Sequence, residues 1–341
     1  MLLRLLSLLL AVPLLAQAPG QQVFRSGLAL GDFYLHDPWI LTHAESTTYY
    51  LYTAGRVTQD GQRRSGVVVY KSQDLETWAG PQPVFAVPDG LWANPAHGAW
   101  APEVHFYRGK YYLLVTLHNN DRIIDQPDDR PVYLGALANR HLRATQIFVS
   151  ESPAGPFTPH GTRPVTPEDF MTLDGTLFVE DGVPYVVYAH DWMQTIDGAV
   201  EAVRLADDLS GAAGEARHLF KASDAPWLAD QFLASKQPRH YEAEGPNLYR
   251  TRTGRLLMLW SSWKDGLYAQ AVASSASGKL HGPWRQLEPL FTDDTGHGTI
   301  VRTFDGRLVL VAHAPTMSPL TRVVFHQLED TGDNVRVKRD R

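Results

Sequence analysis

The chain repeats one pattern of apolar and polar positions five times. In each copy a short run of β-branched, aromatic and leucine residues is followed by a polar or glycine-containing turn and a second apolar run. This order predicts a β-hairpin, because strands favour such residues and tight turns favour glycine and polar residues. The second runs contain Tyr49, Tyr111, Tyr185, Leu256 and Leu308, which lie 62, 74, 71 and 52 residues apart.

Further β-rich runs follow the hairpins, so each copy predicts about four strands. Four antiparallel strands repeated radially are typical of a β-propeller. The sequence therefore predicts an all-β fold, a five-bladed β-propeller with four antiparallel strands per blade. A β-sandwich is the alternative, but sandwiches do not repeat one hairpin pattern in this way.

Two details of the fold follow from the same pattern. Since the last step between hairpins is short, we expect a strand near Phe24–Leu30 to complete the last blade. One stretch, around Ala225–Ser235, has helical character.

The composition agrees with a folded protein, since 44% of the 341 residues are apolar and 20% are charged. Such a chain is not disordered. It contains no cysteine, which excludes a disulfide scaffold, cysteine-ligated zinc, iron–sulfur clusters and a thiol nucleophile. The net charge of -6 offers no electrostatic footprint for nucleic acid, and the length is within reach of one large all-β domain.

The N-terminal segment has the pattern of a secretory signal. Arg4 precedes an apolar run over Leu5–Leu15, and Ala16-Gln17-Ala18 has the small residues of a cleavage site. This run is too short to cross a bilayer, and no later apolar stretch is long enough for a membrane helix. We therefore expect residues 1–18 to be a signal peptide and residues 19–341 to form a single catalytic propeller domain. The mature protein should be secreted or periplasmic, without a membrane partner.

Residues at one fixed place in each blade should meet at the centre of a propeller, because the innermost strands line its channel. Counting back 11 or 12 positions from the five hairpin residues leads to Asp37, Trp100, Asp174, Glu244 and His297. Singly, several of them would pass for ordinary turn residues. Three converging carboxylates repel one another, however, and such a cost is typical of a functional site.

Three carboxylates without cysteine chemistry or a cofactor motif point to hydrolysis of an acetal. Cleavage of a glycosidic bond needs one protonated carboxyl group that donates to the leaving oxygen and one ionised carboxylate opposite it. A third carboxylate can raise the pKa of the acid and orient it. Several tryptophans near the channel ends of these segments would stack on a sugar ring, although packing in the core is the alternative for each. They are Trp39, Trp92, Trp100, Trp192 and Trp263.

Five short segments resemble glycoside hydrolase family 43, the five-bladed propeller family of arabinofuranosidases, xylosidases and arabinanases. Their order and spacing match that family over nearly the whole mature chain. The segments are Asp37-Pro38-Trp39-Ile40-Leu41, Trp100-Ala101-Pro102-Glu103-Val104, Leu173-Asp174-Gly175-Thr176-Leu177-Phe178, Glu244-Gly245-Pro246-Asn247-Leu248-Tyr249 and Gly296-His297-Gly298-Thr299.

The resemblance implies an inverting hydrolase of arabinose- or xylose-containing oligosaccharides or polysaccharides. It implies that Asp37 is the general base that activates water, Glu244 the general acid, and Asp174 the residue that modulates the pKa of the acid and orients it. Inversion needs room for a water molecule, so the acid and base carboxyl groups should lie about 6.5–9.5 Å apart. The residues expected to contact substrate are Trp39, Trp100, His190 and Trp263.

His297 resembles the channel histidine that in this family often touches a hydrated cation, commonly calcium. Residue chemistry alone does not suggest this metal, because calcium prefers oxygen ligands. The implied contact between His297 and Ca²⁺ is therefore through water molecules. No organic cofactor is expected.

The leading hypothesis is an exported enzyme that removes terminal α-L-arabinofuranosyl residues from plant polysaccharides or oligosaccharides. β-Xylosidase or endo-arabinanase activity is the alternative within the family. Long connections at His118–Ala144 and Trp192–Gly198 favour a closed pocket and exo action. A retaining fructan-type hydrolase is disfavoured because its motifs are missing from the sequence. A non-catalytic sugar-binding propeller is disfavoured because all three acids are present.

Overall fold

Five antiparallel sheets make up the structure, a computed structural model that describes residues 24–124, 140–228, 241–317 and 319–338. Within these ranges four sheets have four strands and one has five. The prediction of an all-β, five-bladed propeller with four-stranded blades is therefore confirmed. The predicted signal peptide, residues 1–18, lies outside the described residues. Within them, no helix is long and apolar enough to cross a membrane.

Each blade is built from strands that follow one another along the chain, in the order in which they pair. Blade 1 contains β2 (Trp39–His43), β3 (Thr48–Gln59), β4 (Gln62–Ser72) and β5 (Trp78–Ala86). Blade 2 contains β6 (Ala99–Tyr107), β7 (Lys110–Ile123), β8 (His141–Ser150) and β9 (Thr158–Pro159). Blade 3 contains β10 (Thr172–Glu180), β11 (Val183–His190), β12 (Ala199–Arg204) and β13 (Arg217–Lys221). Blade 4 contains β14 (Glu244–Arg250), β15 (Leu256–Lys264), β16 (Leu267–Ser275) and β17 (Trp284–Gln286). Blade 5 contains β18 (Gly296–Arg302), β19 (Leu308–Ala314), β20 (Arg322–Asp330) and β21 (Val335–Val337).

The N-terminal strand β1 (Arg25–Leu28) is the fifth strand of blade 1. It pairs with β5, with Leu28 opposite Trp78. The prediction that this segment completes the last blade is wrong, because the C-terminal strand β21 pairs with β20 and fills that edge. A four-residue edge strand carries too short an apolar pattern to specify which strand it joins.

Two predicted loops are partly regular structure. Strand β7 continues to Ile123 and β8 begins at His141, so both ends of the predicted loop His118–Ala144 are strand. The connection after blade 3's second strand begins with a short helix, α1 (Trp192–Thr195). Of the predicted helical stretch Ala225–Ser235, residues 225–228 form a bend and a turn, and the remainder lies outside the described residues.

Buried apolar clusters fill the gaps between neighbouring blades. Successive residues of a strand point to opposite faces, so Leu113 packs between blades 1 and 2 while Leu114 packs between blades 2 and 3. Because both faces of each sheet are covered, the middle strands are continuous apolar runs. Val309 and Val311 of blade 5 pack with Leu51 of blade 1. This contact closes the ring.

Candidate active site

The inner strands of blades 2 to 5 carry a one-residue bulge at the same place. In β10, Leu173 lies opposite Ala189 and Thr176 lies opposite Val187, so three steps along β10 match two along β11. The same irregularity occurs in β6, β14 and β18. A bulge bends its strand and re-aims side chains, and bulges are frequent beside active sites.

The residue inside each bulge has a left-handed backbone conformation, and so has Asp37, which stands just before β2 in blade 1. Asp37, Asp174 and His297 occupy equivalent positions, whereas Trp100 and Glu244 lie one residue earlier. The count along the sequence therefore reached two neighbouring positions. Aspartate tolerates this conformation better than most residues do. The equivalent positions and their φ angles are Asp37 (48°), Ala101 (41°), Asp174 (56°), Gly245 (59°) and His297 (50°).

In four of the five blades the preceding blade supplies a hydrogen-bond acceptor for the backbone N–H at this position. In three cases the acceptor is a side chain of the second strand: Thr116 Oγ1 for Asp174 (2.8 Å), Ser261 Oγ for His297 (2.8 Å) and His313 Nδ1 for Asp37 (3.2 Å). Blade 3 has Ala189 at this place, and there Gly245 N donates to Asp174 Oδ2 at 3.0 Å instead. Since a buried N–H needs a partner, each of these contacts fixes the backbone at this position from the neighbouring blade.

All five residues predicted to converge line one pocket, with a volume of about 360 Å³. Asp174 and His297 are buried, whereas Trp100 is 44% exposed at the pocket surface. A larger cavity of about 870 Å³ contains none of the five. The other residues that line the pocket are Tyr34, His36, Thr53, Ala54, Tyr70 and Leu173.

Three histidines surround one oxygen of Asp37. Its Oδ1 lies 2.8 Å from His36 Nδ1, 3.1 Å from His297 Nδ1 and 3.5 Å from His313 Nδ1. Burial alone would raise the pKa of Asp37, but the charges of His297 and His36 outweigh it and hold the pKa well below its usual value. Asp37 is therefore ionised throughout the neutral range.

The three histidines differ in charge. Burial opposes protonation of His36, but the adjacent Asp37 carboxylate raises the pKa of His36 to about 9. Burial likewise opposes protonation of His297, and there the carboxylates of Asp37 and Asp174 raise the pKa. Burial lowers the pKa of His313 to about 3. The His313 ring is therefore neutral, which suits an Nδ1 that accepts the N–H of Asp37.

Asp174 has the opposite electrostatic setting to Asp37. Burial raises the pKa of Asp174 to about 7; His297 opposes the rise, whereas the charges of Glu244 and Asp37 add to it. Two carboxyl groups of one pocket thus have widely different proton affinities. Such a separation is typical of sites in which neighbouring carboxyl groups have different roles in proton transfer.

Glu244 is held by a buried tyrosine. The hydroxyl group of Tyr268 donates a hydrogen bond to Glu244 Oε1, and the Tyr268 side chain is 1% exposed. Burial and the charge of Glu244 hold the pKa of Tyr268 well above its usual value, so the hydroxyl remains a donor. The Tyr268 ring stacks on His313 with 5.5 Å between centroids. Tyr268 therefore connects the surroundings of Glu244 with those of Asp37.

The predicted aromatic contacts divide into two groups. Trp100 lines the pocket. Trp39 packs against the apolar cluster between blades 1 and 2, and its Nε1 donates to Val104 O at 2.9 Å. Trp39 is therefore a core residue and not a sugar-stacking one, because its ring and its N–H are both engaged between blades 1 and 2.

His190 and Trp263 lie outside the pocket lining. His190 is buried, with Nδ1 3.2 Å from Glu201 Oε1 and Nε2 2.8 Å from Gln194 Oε1, so both ring nitrogens are engaged. Trp263 Nε1 donates to Glu242 Oε2 at 2.6 Å. Trp263 thus reaches the vicinity of Glu244 through a neighbouring carboxyl group.

Sequence reasoning missed His36, His313 and Tyr268. The position of His313 could have been found from the sequence. It occupies the same place in the second strand of its blade as Thr116 and Ser261 occupy in the second strands of blades 2 and 4. An alignment of the second strands would have singled it out. Tyr268 lies on the third strand of blade 4, where no repeat position pointed to the channel.

The group of potential metal ligands next to His297 has few of the oxygen atoms that calcium prefers. Among the described residues, His36, Asp37 and His313 are the group of three potential ligands whose atoms lie within 4.8 Å of one another. This group has two imidazoles and one carboxylate, whereas calcium takes six to eight oxygen ligands. Nδ1 of His297 already faces Asp37 Oδ1. The calcium contact stays a prediction, and the reaction described below uses no cation.

The propeller and its carboxylate-lined pocket define a protein of the glycoside hydrolase class, and comparison with known proteins agrees. The sequence model of glycosyl hydrolases family 43 matches residues 31–335. The chain therefore belongs to glycosyl hydrolase family 43.

Individual relatives include both endo- and exo-acting enzymes. The endo-arabinase structure from Bacteroides thetaiotaomicron VPI-5482 has a TM-score of 0.74 and 34% identity, over 89% of this chain and 98% of that one. The extracellular endo-alpha-(1->5)-L-arabinanase 1 of Bacillus subtilis is 34% identical over 83 residues, 23% of this chain. The extracellular exo-alpha-(1->5)-L-arabinofuranosidase of Streptomyces avermitilis is 28% identical over 162 residues, 45% of this chain. These matches span 24% and 27% of the two curated relatives.

The Ser261–His297 hydrogen bond gives a test of the bulge contacts. Replacement of Ser261 by alanine should leave the buried N–H of His297 unpaired and lower the free energy of unfolding by about 1–3 kcal/mol. Ser274→Ala is the matched control, since Ser274 Oγ is buried and has no hydrogen-bond partner among the described residues. Urea denaturation of both variants measures the difference, and equal losses would contradict the assigned contact.

The His36–Asp37 pair predicts a pH dependence of stability. Because folding raises the pKa of His36 from 6.5 to about 9, its stabilising contribution is complete below pH 6.5 and is lost as the pH rises through 9. The His36→Gln variant should therefore be less stable than wild type at pH 6, and the gap should close by pH 10. Urea denaturation across this range measures the gap. NMR detection of His36 titrating at or below pH 6.5 would refute the assignment.

Proposed function

We propose that the protein is an exported, inverting hydrolase that removes terminal α-L-arabinofuranosyl residues from arabinan-type polysaccharides or oligosaccharides. The observation that carries this proposal is the pocket lined by Asp37, Asp174 and Glu244, whose carboxyl groups lie in contrasting electrostatic settings. The hydrolase class follows from family membership. The arabinan substrate is supported by the names of relatives that are at least 28% identical over the matched regions.

Asp37 acts as the general base in this proposal. Its charge is held by His36 and His297, and the contacts of all three histidines fall on Oδ1. The other carboxylate oxygen, Oδ2, then accepts a proton from the attacking water. Because its pKa is low, Asp37 is ionised before the reaction and can accept this proton. The same low pKa makes it a weaker base.

Glu244 acts as the general acid and Asp174 as the residue that orients it. Tyr268 fixes one oxygen of Glu244. Asp174 accepts a hydrogen bond from the backbone N–H of Gly245, directly after Glu244. Asp174 therefore holds the chain segment that carries the acid.

Trp100 and Tyr34 supply the aromatic surface for the sugar. Both line the pocket and both are exposed, at 44% and 49%. Exposed aromatic rings beside polar groups are suited to a sugar, which has apolar faces and a polar rim. The two rings therefore stand where a sugar unit would pass into the carboxylate site.

Export of the protein is proposed on two grounds. Residues 1–18 have the pattern of a secretory signal. Two relatives are named as extracellular enzymes.

Endo-arabinanase activity is a second candidate. It is supported by the endo-arabinase from Bacteroides thetaiotaomicron, which matches 89% of this chain at 34% identity. The two candidates share the same three carboxyl groups and the same linkage chemistry. They differ in whether the substrate passes through the site or ends in it.

Replacement of a proton-handling carboxyl group should abolish most activity. The Asp37→Asn and Glu244→Gln variants should each lose about 10²–10⁴-fold in kcat, with circular dichroism like that of wild type. Glu103→Gln is the control, since the Glu103 carboxylate pairs with His105 at 2.8 Å and lies outside the pocket lining. Proton NMR of the first sugar released should show the inverted anomer. A retained anomer, or full activity in either variant, would refute these roles.

A substrate panel tests specificity. Purified protein is incubated with linear arabinan, arabinoxylan, an aryl arabinofuranoside and an aryl xyloside, and early products are separated by chromatography. We expect free arabinose as the first product and no release from the xyloside, because the proposed substrate unit is a terminal arabinofuranosyl residue. Arabino-oligosaccharides as first products would favour the endo candidate, and preference for the xyloside would contradict both.

A further inference from the structure

Asp294, in the connection from blade 4 to blade 5, accepts hydrogen bonds from the backbone of both blades. Its Oδ1 accepts from Tyr268 N at 3.3 Å, and its Oδ2 accepts from Thr316 N at 3.2 Å. The backbone N–H of Asp294 also donates to Tyr268 O at 3.0 Å. One carboxylate therefore ties β16 of blade 4 to the connection between β19 and β20 of blade 5.

The two residues that Asp294 holds each continue towards a carboxyl group of the pocket. The hydroxyl group of Tyr268 donates to Glu244 Oε1. Thr316 O lies 3.3 Å from His36 Nε2, and His36 Nδ1 lies 2.8 Å from Asp37 Oδ1. Because a carbonyl oxygen and a carboxylate only accept hydrogen bonds, both ring nitrogens of His36 are the donors here. We call the resulting chain of contacts the acid–base link, which consists of Glu244, Tyr268, Asp294, Thr316, His36 and Asp37.

A column of stacked rings runs beside the acid–base link. The rings of Tyr268 and His313 stack with 5.5 Å between centroids and 5° between planes, and those of His313 and His36 stack at 3.9 Å and 28°. The buried hydroxyl group of Thr321 donates to Thr316 O at 3.1 Å and holds that carbonyl group in place. Tyr268 and His36 are therefore joined twice, through stacked rings and through hydrogen bonds.

The separation of acid and base matters in an inverting hydrolase because both groups act in one step. The acid protonates the leaving oxygen while the base takes a proton from water on the opposite face of the sugar. A displacement of about 1 Å in such an arrangement can cost about 10²-fold in rate. Blade 5 packs against blade 4 on one side and against blade 1 on the other. Its contacts with both blades therefore set how far Glu244 lies from Asp37.

We propose that Asp294 is a positioning residue that sets the distance between Glu244 and Asp37. Its carboxylate fixes the backbone of Tyr268, which holds the acid, and the backbone of Thr316, which holds the histidine beside the base. The inference rests on the proposed roles of the two carboxyl groups as acid and base. It assigns to the blade 4 to blade 5 connection a part in the reaction, although Asp294 lies outside the pocket lining.

Two variants of Asp294 test the inference. Asp294 has a φ of 72°, which glycine adopts without steric cost, so Asp294→Gly removes both acceptors without straining the backbone. Asp294→Asn keeps one acceptor oxygen and places an NH₂ group against the other backbone N–H. We expect kcat for arabino-oligosaccharides to fall by about 10²-fold in Asp294→Gly and by a smaller factor in Asp294→Asn. KM should change little, because the rings that line the pocket are retained.

The neighbouring residue offers a matched control. Asp293 is exposed and carries the same charge one position earlier in the same connection, so Asp293→Asn should leave both kcat and KM unchanged. Circular dichroism of all three variants should match that of wild type. A wild-type kcat in Asp294→Gly, or an equal loss in Asp293→Asn, would contradict the assigned role.

NMR of the histidine rings separates this inference from the proposed function. In ¹⁵N-histidine-labelled protein, the Nε2 proton of His36 should give a resolved signal, assigned with His36→Gln, because it is bonded to Thr316 O. Loss of the Asp294 carboxylate frees Thr316, so this signal should shift or broaden in Asp294→Gly and stay in place in Asp293→Asn. An unmoved signal in Asp294→Gly would overturn the inference. A moved signal in a protein that hydrolyses no arabinose substrate would leave the acid–base link standing and refute the proposed function.

Discussion

The bulge N–H groups are the constraint on which the arrangement of the site depends. A one-residue bulge places Asp174 and His297 at positive φ and removes their N–H groups from the ladder of their own sheet. The acceptors come from the neighbouring blade, at Thr116 and Ser261. A side chain of the site is therefore fixed by two blades at once, and a change in the angle between blades would break these bonds.

The pocket also gives chemically similar carboxyl groups very different pKa values. Asp37 lies among imidazoles and remains charged, whereas Asp174 is buried beside other carboxylates and has a pKa of about 7. The difference arises from neighbours supplied by separate blades, since His313 and His297 come from blade 5 and Glu244 from blade 4. A ring of blades brings such contrasting neighbours within a few ångströms without any of them being close in sequence.

Much of the fold and of the pocket could be predicted from the sequence, because the hairpins repeat and their second strands are apolar. The five strands that face the centre, and Asp37, Asp174 and His297 with them, follow from a fixed offset. The strand that pairs with β1 could not be predicted, because a four-residue edge strand has too short an apolar pattern to specify the sheet that it joins. Trp39 and His190 are expected from the sequence to contact substrate, but their side chains are engaged by Val104 and by Glu201. Tyr268 and Glu242 depend on side-chain contacts across strands, which no periodicity encodes.

The order of the strands also decides when the site comes into being. Each blade from β2 onward is one continuous stretch of chain, so during synthesis each sheet has its strands before the next begins. The seam where Val309 and Val311 cover Leu51 is the exception, because its two sides are made first and last. Asp37 emerges with blade 1 but meets His297 and His313 only when blade 5 docks. The surroundings of Asp37, the proposed base, are thus completed only when the ring closes, and a chain halted before blade 5 carries an Asp37 without two of its three histidine partners.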